Sequence, residues 1–203
     1  MILHGLLRIF SKKSKEVIMK EIITLFKEIG ALKTGHFQLT SGLHSQQYIQ
    51  CAAVFERPTT AGKFVELLIP KLPQNIDTVV APAIGGINMG YEVARTLDCR
   101  FIFAERQDGI MTLRRGFALT AAERVLVVED VVTTGGSVKE VLEIVRQHGS
   151  KIAGVAALVD RSKGKADFGV PFVSLISLEI ETYQPENCPL CSAEIPITKP
   201  GSR

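Results

Sequence analysis

Residues 125–137, VLVVEDVVTTGGS, join a run of mostly β-branched residues to two adjacent carboxylates and a glycine turn rich in hydroxyls. Four apolar residues bounded by charge read as a strand covered on both faces of a parallel sheet. Glu129 and Asp130 then stand at its carboxyl end, where open α/β sheets bind their ligands. Behind them, Thr133, Thr134, Gly135, Gly136 and Ser137 can turn backbone N–H groups inward and add hydroxyl donors. A helix follows with its positive dipole end aimed at the turn. Such a cup suits a phosphate and paired acids suit sugar hydroxyls, so the combined ligand is a ribose 5-phosphate. The alternative is an ordinary strand-to-helix turn with solvated acids. The turn is not a Walker loop, because no Lys follows the glycines, and it lacks the three-glycine spacing of a dinucleotide site.

These residues need a frame, and the periodicities supply one. Val138, Val141, Leu142 and Val145 keep i, i+3, i+4, i+7 spacing and predict a helix that stops near His148-Gly149. Upstream, Ile18, Ile22, Leu25, Phe26 and Ile29 predict a helix ended by Gly30. Phe37, Leu39 and residues 48–50 read as short strands around a turn at Ser41-Gly42, forming a small hood. Pro58 opens a helix with Ala61, Phe64, Val65, Leu68 and Leu72 on one face. A strand at 77–81 runs into a second glycine turn, Ala83-Ile84-Gly85-Gly86, and then a helix with Ile87, Gly90, Tyr91, Ala94 and Leu97 on one side. Further strands are expected at 100–105, 151–159 and 172–178. Strands alternating with helices give an α/β fold, a parallel sheet flanked by helices on both faces. Residues 106–117 show no clear period and read as a mobile loop or hairpin. The division expected is an extension at 1–18, a hood at about 19–56, a core at about 57–180 and a C-terminal tail at 181–203, whose residues 192–203 lie along the surface.

Composition narrows the function classes. A chain of 203 residues with 46% hydrophobic and 22% charged residues is ordinary globular material, one domain in size. Net charge is only +3 and both signs are dispersed, so no basic stripe for nucleic acid is expected; Lys12, Lys13 and Lys15 read as a solvated tail. No segment is long enough for a membrane span, and the apolar start lacks a basic leader and a cleavage site. A soluble, cytoplasmic protein is expected. Cys51 and Cys99 read as small core hydrophobes. Cys188-Pro189-Leu190-Cys191 has the spacing of half a zinc knuckle, but four ligands are needed and no second Cys pair exists in the chain. The pair therefore reads either as reduced surface thiols or as half of a site completed by a partner subunit, and no metal ligand is assigned.

The segment 125–137 resembles the phosphoribosyl diphosphate (PRPP) signature of the type I phosphoribosyltransferases. Residues 30–45, GALKTGHFQLTSGLHS, resemble the amino-terminal segment of the orotate phosphoribosyltransferases, and Leu158-Val159-Asp160-Arg161 resembles the strand end where that family places an orotate-contacting Arg. The resemblance implies a type I phosphoribosyltransferase fold and transfer of the phosphoribosyl group from PRPP to orotate, with diphosphate released, in UMP biosynthesis. It implies that Glu129 and Asp130 hold the ribose hydroxyls, that Val131, Val132 and residues 133–137 enclose the 5-phosphate, and that Ala83, Ile84, Gly85 and Gly86 meet the diphosphate. Arg106, Arg114 and Arg115 would supply charge from a lid, either a water-excluding cover or an exposed hairpin with solvated arginines. Thr133 and Arg161 would contact orotate. Mg²⁺ is the implied cofactor and a homodimer the implied assembly, with no nucleic acid or membrane partner. The chain departs from the best-known pattern, which has Lys where Thr40 and Gly85 stand and Lys and His in the lid; its arginine-only lid and Cys-Pro-Leu-Cys tail resemble a distinct branch. Two other readings stand beside this one: transfer to uracil, xanthine or adenine, and a non-catalytic sensor of PRPP.

Overall fold

The computed structural model describes residues 15–200, which divide into two compact units, 15–53 with 180–200, and 54–179. Most of the expected extension at 1–18, including Lys12 and Lys13, lies outside the described residues.

In the first unit, helix α1 (Lys15–Glu28) begins one turn before the expected boundary at residue 19. Ile22 and Phe26, four apart on one face, are its buried residues, and Gly30 at φ +72° turns the chain out of it. Strands β1 (Leu32–Gln38) and β2 (His44–Ile49) then form an antiparallel hairpin, with Leu32 opposite Ile49 and Gln38 opposite His44. A register shift between Thr34 and Phe37 breaks the alternation, which is why the sequence shows only fragments of these strands. Residues 192–199 of the tail are exposed while Cys188 and Leu190 are buried, and the tail is also paired with the hairpin. Thr198 bridges Phe37 and Tyr183 bridges His44, through bonds of 2.8–2.9 Å such as Thr198 N–H to His36 O and Tyr183 N–H to His44 O. Backbone pairing of this kind leaves no side-chain period to read.

The second unit contains α2 (Pro58–Leu68), β3 (Thr78–Pro82), α3 (Gly85–Leu97), β4 (Arg100–Gln107), β5 (Ile110–Leu113), β6 (Arg124–Val132), α4 (Gly136–Gln147), β7 (Lys151–Asp160) and β8 (Phe172–Ser177). They build a six-stranded sheet of order β5-β4-β3-β6-β7-β8. All neighbouring pairs are parallel except β4–β5, so the expected parallel sheet carries one antiparallel edge strand. That edge lies in the segment expected to be a mobile loop or hairpin, residues 106–117. Asp108 and Gly109, both at positive φ, supply the two-residue turn that makes it a hairpin.

The sheet is covered on both sides. Val80, Ile102, Val125, Val127 and Val155 pack with Val138, Val141, Leu142 and Val145 of α4. On the other face α3 lies unusually close: a Cβ on Gly90 would sit 2.6 Å from the Phe101 ring and 2.9 Å from the Ala81 methyl. Val125, Leu126, Val127 and Val128 are fully buried at 0% exposure, each worth about 1.5–3 kcal/mol. The strand β6 runs on past them to Val132, so Glu129 and Asp130 lie within its last four residues. At its start, Glu123 ties three strands together, accepting from Thr78 Oγ1 at 2.7 Å, Arg100 Nη1 at 2.7 Å and the Thr120 N–H at 2.6 Å. Burial works against the Glu123 charge, but those donors outweigh it and hold the carboxyl at about 2. Among the described residues no helix is long and apolar enough to cross a membrane.

Candidate active site

The carboxyl end of β6 delivers Glu129 and Asp130 to the start of α3. A Cβ on Gly85 would lie 3.0 Å from Asp130 Oδ1, and one on Gly86 would lie 3.0 Å from Glu129 Oε1. The two glycines therefore let the second glycine turn touch both acids. The Ala83–Ile84 peptide in this turn is cis, and the Ala83 N–H donates to Ala104 O at 2.7 Å. Asp130 Oδ1 accepts from the Val131 N–H at 2.8 Å, and Glu129 Oε1 accepts from the Asp130 N–H at 3.1 Å. Both acids were expected to face a crevice. Asp130 is half-buried, whereas Glu129 is only 9% exposed although it borders the cup formed by the glycine turn. Burial pushes the Glu129 carboxyl up to about 9, with the neighbouring Asp130 charge adding to it, and burial raises Asp130 as well. Both shifts favour the protonated over the charged form of the pair.

Residues 131–138 wrap a cavity of about 220 Å³, with Glu129, Arg106 and Glu140 at its border. Pockets for whole small ligands run about 300–1,000 Å³, so this cup fits one part of a ligand. Gly135 at φ +76° and ψ 13° is the N-cap of α4 and turns the backbone into the cup. The Phe168 ring lies beneath it, only 2.7 Å from where a Cβ would stand. Thr133 and Thr134 are exposed at the mouth. The N–H groups of the cup and the amino end of α4 together suit a dianion.

The three lid arginines separate. Arg106 borders the cup, donating to Glu140 and to Gly109 O, each at 2.8 Å. Arg114 and Arg115 instead pair with Glu105 at 3.8 and 3.0 Å, and the Arg115 guanidinium lies 5.6 Å from the centre of the Phe103 ring. An exposed pair such as Arg106–Glu140 contributes little, so a polyanion in the cup can replace Glu140 easily. Arg161 follows directly on β7, and its N–H donates to Val132 O at 2.8 Å, which sets it beside the start of the cup. The adjacent Asp160 carboxylate accepts from the Ser162 N–H at 2.8 Å. Arg161 and the cup thus come from the ends of the adjoining strands β7 and β6.

Cys188 and Cys191 do find further ligand-type side chains, and within the same chain: His36 and His44 of the hairpin. A second Cys pair is absent from the sequence, and the two histidines stand instead on either side of the hairpin turn. That spacing was the available signal.

A model of the phosphoribosyl transferase domain matches residues 59–188. The chain is 53% identical over 185 residues to an orotate phosphoribosyltransferase of Caldanaerobacter subterraneus subsp. tengcongensis, covering 91% of this chain and 97% of that one. It is 54% identical over 182 residues to an orotate phosphoribosyltransferase of Caldicellulosiruptor bescii, covering 89% and 96%. Among solved structures, the orotate phosphoribosyltransferase of Aeropyrum pernix superposes with a TM-score of 0.67 at 25% identity, over 76% of this chain and 92% of that one.

Proposed function

Given that this chain belongs to the phosphoribosyltransferase family and, within it, to the orotate phosphoribosyltransferases, we propose that it transfers the 5-phosphoribosyl group of PRPP to orotate. The products are orotidine 5-phosphate and diphosphate, a step of pyrimidine (UMP) biosynthesis. The observation that carries this reading is the meeting of two acids, a phosphate cup and a second glycine turn at one strand end.

Orotate N1 attacks C1 of the ribose, and the bond from C1 to the diphosphate oxygen breaks. Positive charge grows on the ribose while negative charge grows on the leaving group. The N–H groups of residues 133–137 hold the 5-phosphate, so C1 is fixed relative to the acids. Asp130 and Glu129 meet the ribose hydroxyls. Gly85 and Gly86 bring backbone to the diphosphate, and Arg106 moves from Glu140 to the departing charge. The donors at this end of the cleft are carboxylates and hydroxyls, an all-oxygen set that fits Mg²⁺. Asp130 and an ionised Glu129 would hold the ion through its waters and the ribose hydroxyls; when bound it neutralises diphosphate charge.

Arg114 and Arg115 lie on Glu105, away from the residues that line the cup. This arrangement supports a homodimer in which these two arginines serve the neighbour's diphosphate. Equal mixing of Asp130→Asn and Arg115→Ala chains should then restore part of the lost activity through hybrid dimers. No recovery despite demonstrated subunit exchange would leave each lid to its own site.

Arg161 is assigned to the carboxylate that distinguishes orotate from uracil, since a guanidinium can meet a carboxylate with two parallel bonds. The whole chain should consume orotate, read as loss of its absorbance with PRPP and Mg²⁺, and should leave uracil untouched. Arg161→Ala should raise the apparent KM for orotate tenfold or more, on the order of 1.5–3 kcal/mol, with KM for PRPP nearly constant. Turnover of uracil by the wild-type chain would defeat the orotate assignment.

A further inference from the structure

Within the first unit, the hairpin and the tail gather four side chains of the types that bind transition metals. His36 in β1, His44 at the head of β2, Cys188 just before the short helix Pro189–Ser192 and Cys191 within it place their ligand atoms within 4.8 Å of one another. His36 Nε2 is 3.1 Å from His44 Nδ1, and Cys191 Sγ is 3.3 Å from that same Nδ1. Cys188 Sγ and Cys191 Sγ stand 3.6 and 3.7 Å from His36 Nε2. A tetrahedral zinc ion with ordinary bonds to nitrogen and sulfur has N···N edges of about 3.3 Å and N···S edges of about 3.5 Å. The four measured edges agree with that figure to roughly 0.3 Å. We propose that His36, His44, Cys188 and Cys191 form a structural zinc site.

The histidine geometry adds an independent reason. His36 Nδ1 lies 2.7 Å from Ile195 O, and a carbonyl can only accept, so Nδ1 carries the hydrogen. The Nε2 lone pair is thereby turned into the cluster, as outer-shell carbonyls do for metal-bound imidazoles. Charge balance agrees too. Two thiols lose their protons to solvent as the ion binds, and Zn²⁺ with two thiolates is neutral, which suits a site where His36, His44 and Cys188 are buried. Cys191 is exposed, so the ion can arrive from solvent on that side. Mixed nitrogen and sulfur ligands favour zinc over the hard Mg²⁺ of the reaction, and four protein ligands leave no open position for catalysis. The role is mechanical: ligands 152 residues apart are clamped, fixing the tail on the hairpin.

The test uses the full chain, purified without chelator, and its zinc content. One zinc per chain is expected. Removing it should lower Tm by on the order of 10 °C, restored by zinc ion alone. Cobalt ion added to the metal-free chain should show tetrahedral d–d bands together with thiolate-to-cobalt charge transfer. Cys191→Ser, at an exposed position, should still fold and should lose the charge-transfer intensity of one thiolate and at least tenfold in zinc affinity; His44→Asn should lose as much affinity with both thiolate bands kept. A metal-free chain whose Tm ignores zinc and chelator overturns the proposal, as does a Cys188–Cys191 disulfide in the freshly purified protein. Zinc bound equally well by Cys191→Ser overturns it also.

Discussion

Replacing Asp130 by Asn is expected to reduce turnover with PRPP about a hundredfold and leave the chain folded. The carboxamide keeps the shape that fits beside Gly85 and can still accept from the Val131 N–H. What it loses is the charge that faces the ribose as it becomes cationic, a contact worth roughly 3 kcal/mol in the transition state. Stability should shift in a definite direction. Glu129 is raised from 4.5 to about 9, so the folded chain binds its proton more tightly than the unfolded chain does. That contribution is complete below the ordinary glutamate range and falls away as pH climbs through this window. With Asn at position 130 one like charge is gone, Glu129 ionises more readily, and the decline should be shallower. Steady-state kinetics and urea melts across the window read both effects. Wild-type turnover in the mutant would remove Asp130 from the mechanism.

Gly90→Val is expected to cost about 3 kcal/mol, a fall in Tm of roughly 6–12 °C for a chain of this size. Helix α3 rests on β3 and β4 at a distance only glycine allows, with Phe101 and Ala81 already inside the space a Cβ needs. Ala at this site should cost less, because its better helix propensity returns up to about 1 kcal/mol. The consequence reaches the chemistry. Gly85 and Gly86 open the same helix and press against the acids, so a helix lifted from the sheet moves the diphosphate turn with it. KM for PRPP should therefore rise in Gly90→Val even where the protein is folded. An unchanged melting temperature would show that α3 has room to spare, and an unchanged KM would uncouple the helix seat from the turn.

The core elements were legible because each is written in side chains. The apolar run at 125–128 marks a strand buried on both faces, and the spacing of Val138, Val141, Leu142 and Val145 matches the covered side of α4. The acids and the cup were legible as types in order along the chain. Their protonation was not. The depth of Glu129 depends on how closely α3 approaches, and that depends on Gly90, read from the sequence only as one position on a helix face. The split of the lid arginines was hidden for a similar reason: Arg106 and Arg115 differ in partner through the hairpin register, which pairs Arg106 with Met111 and Glu105 with Thr112. The pairing of tail with hairpin rests largely on backbone bonds between residues far apart in the chain, and so the company that Cys188 keeps could not be seen from its own neighbourhood.

The Phe168 ring beneath Gly135 sets a limit on how this protein can diversify. Residues 161–171 begin at the arginine proposed to choose the base and pass, seven positions later, under the turn proposed to hold the phosphate. A lineage that rewrote this short loop to welcome another base would also redraw the floor on which every phosphoribosyl donor must sit. Its freedom to explore new acceptors is greatest at the exposed residues between the two anchors, such as Lys163, Gly164 and Lys165, and least at Arg161 and Phe168 themselves. New specificity should therefore arise more readily by exchanging the loop as a unit, both anchors together, than by successive single changes.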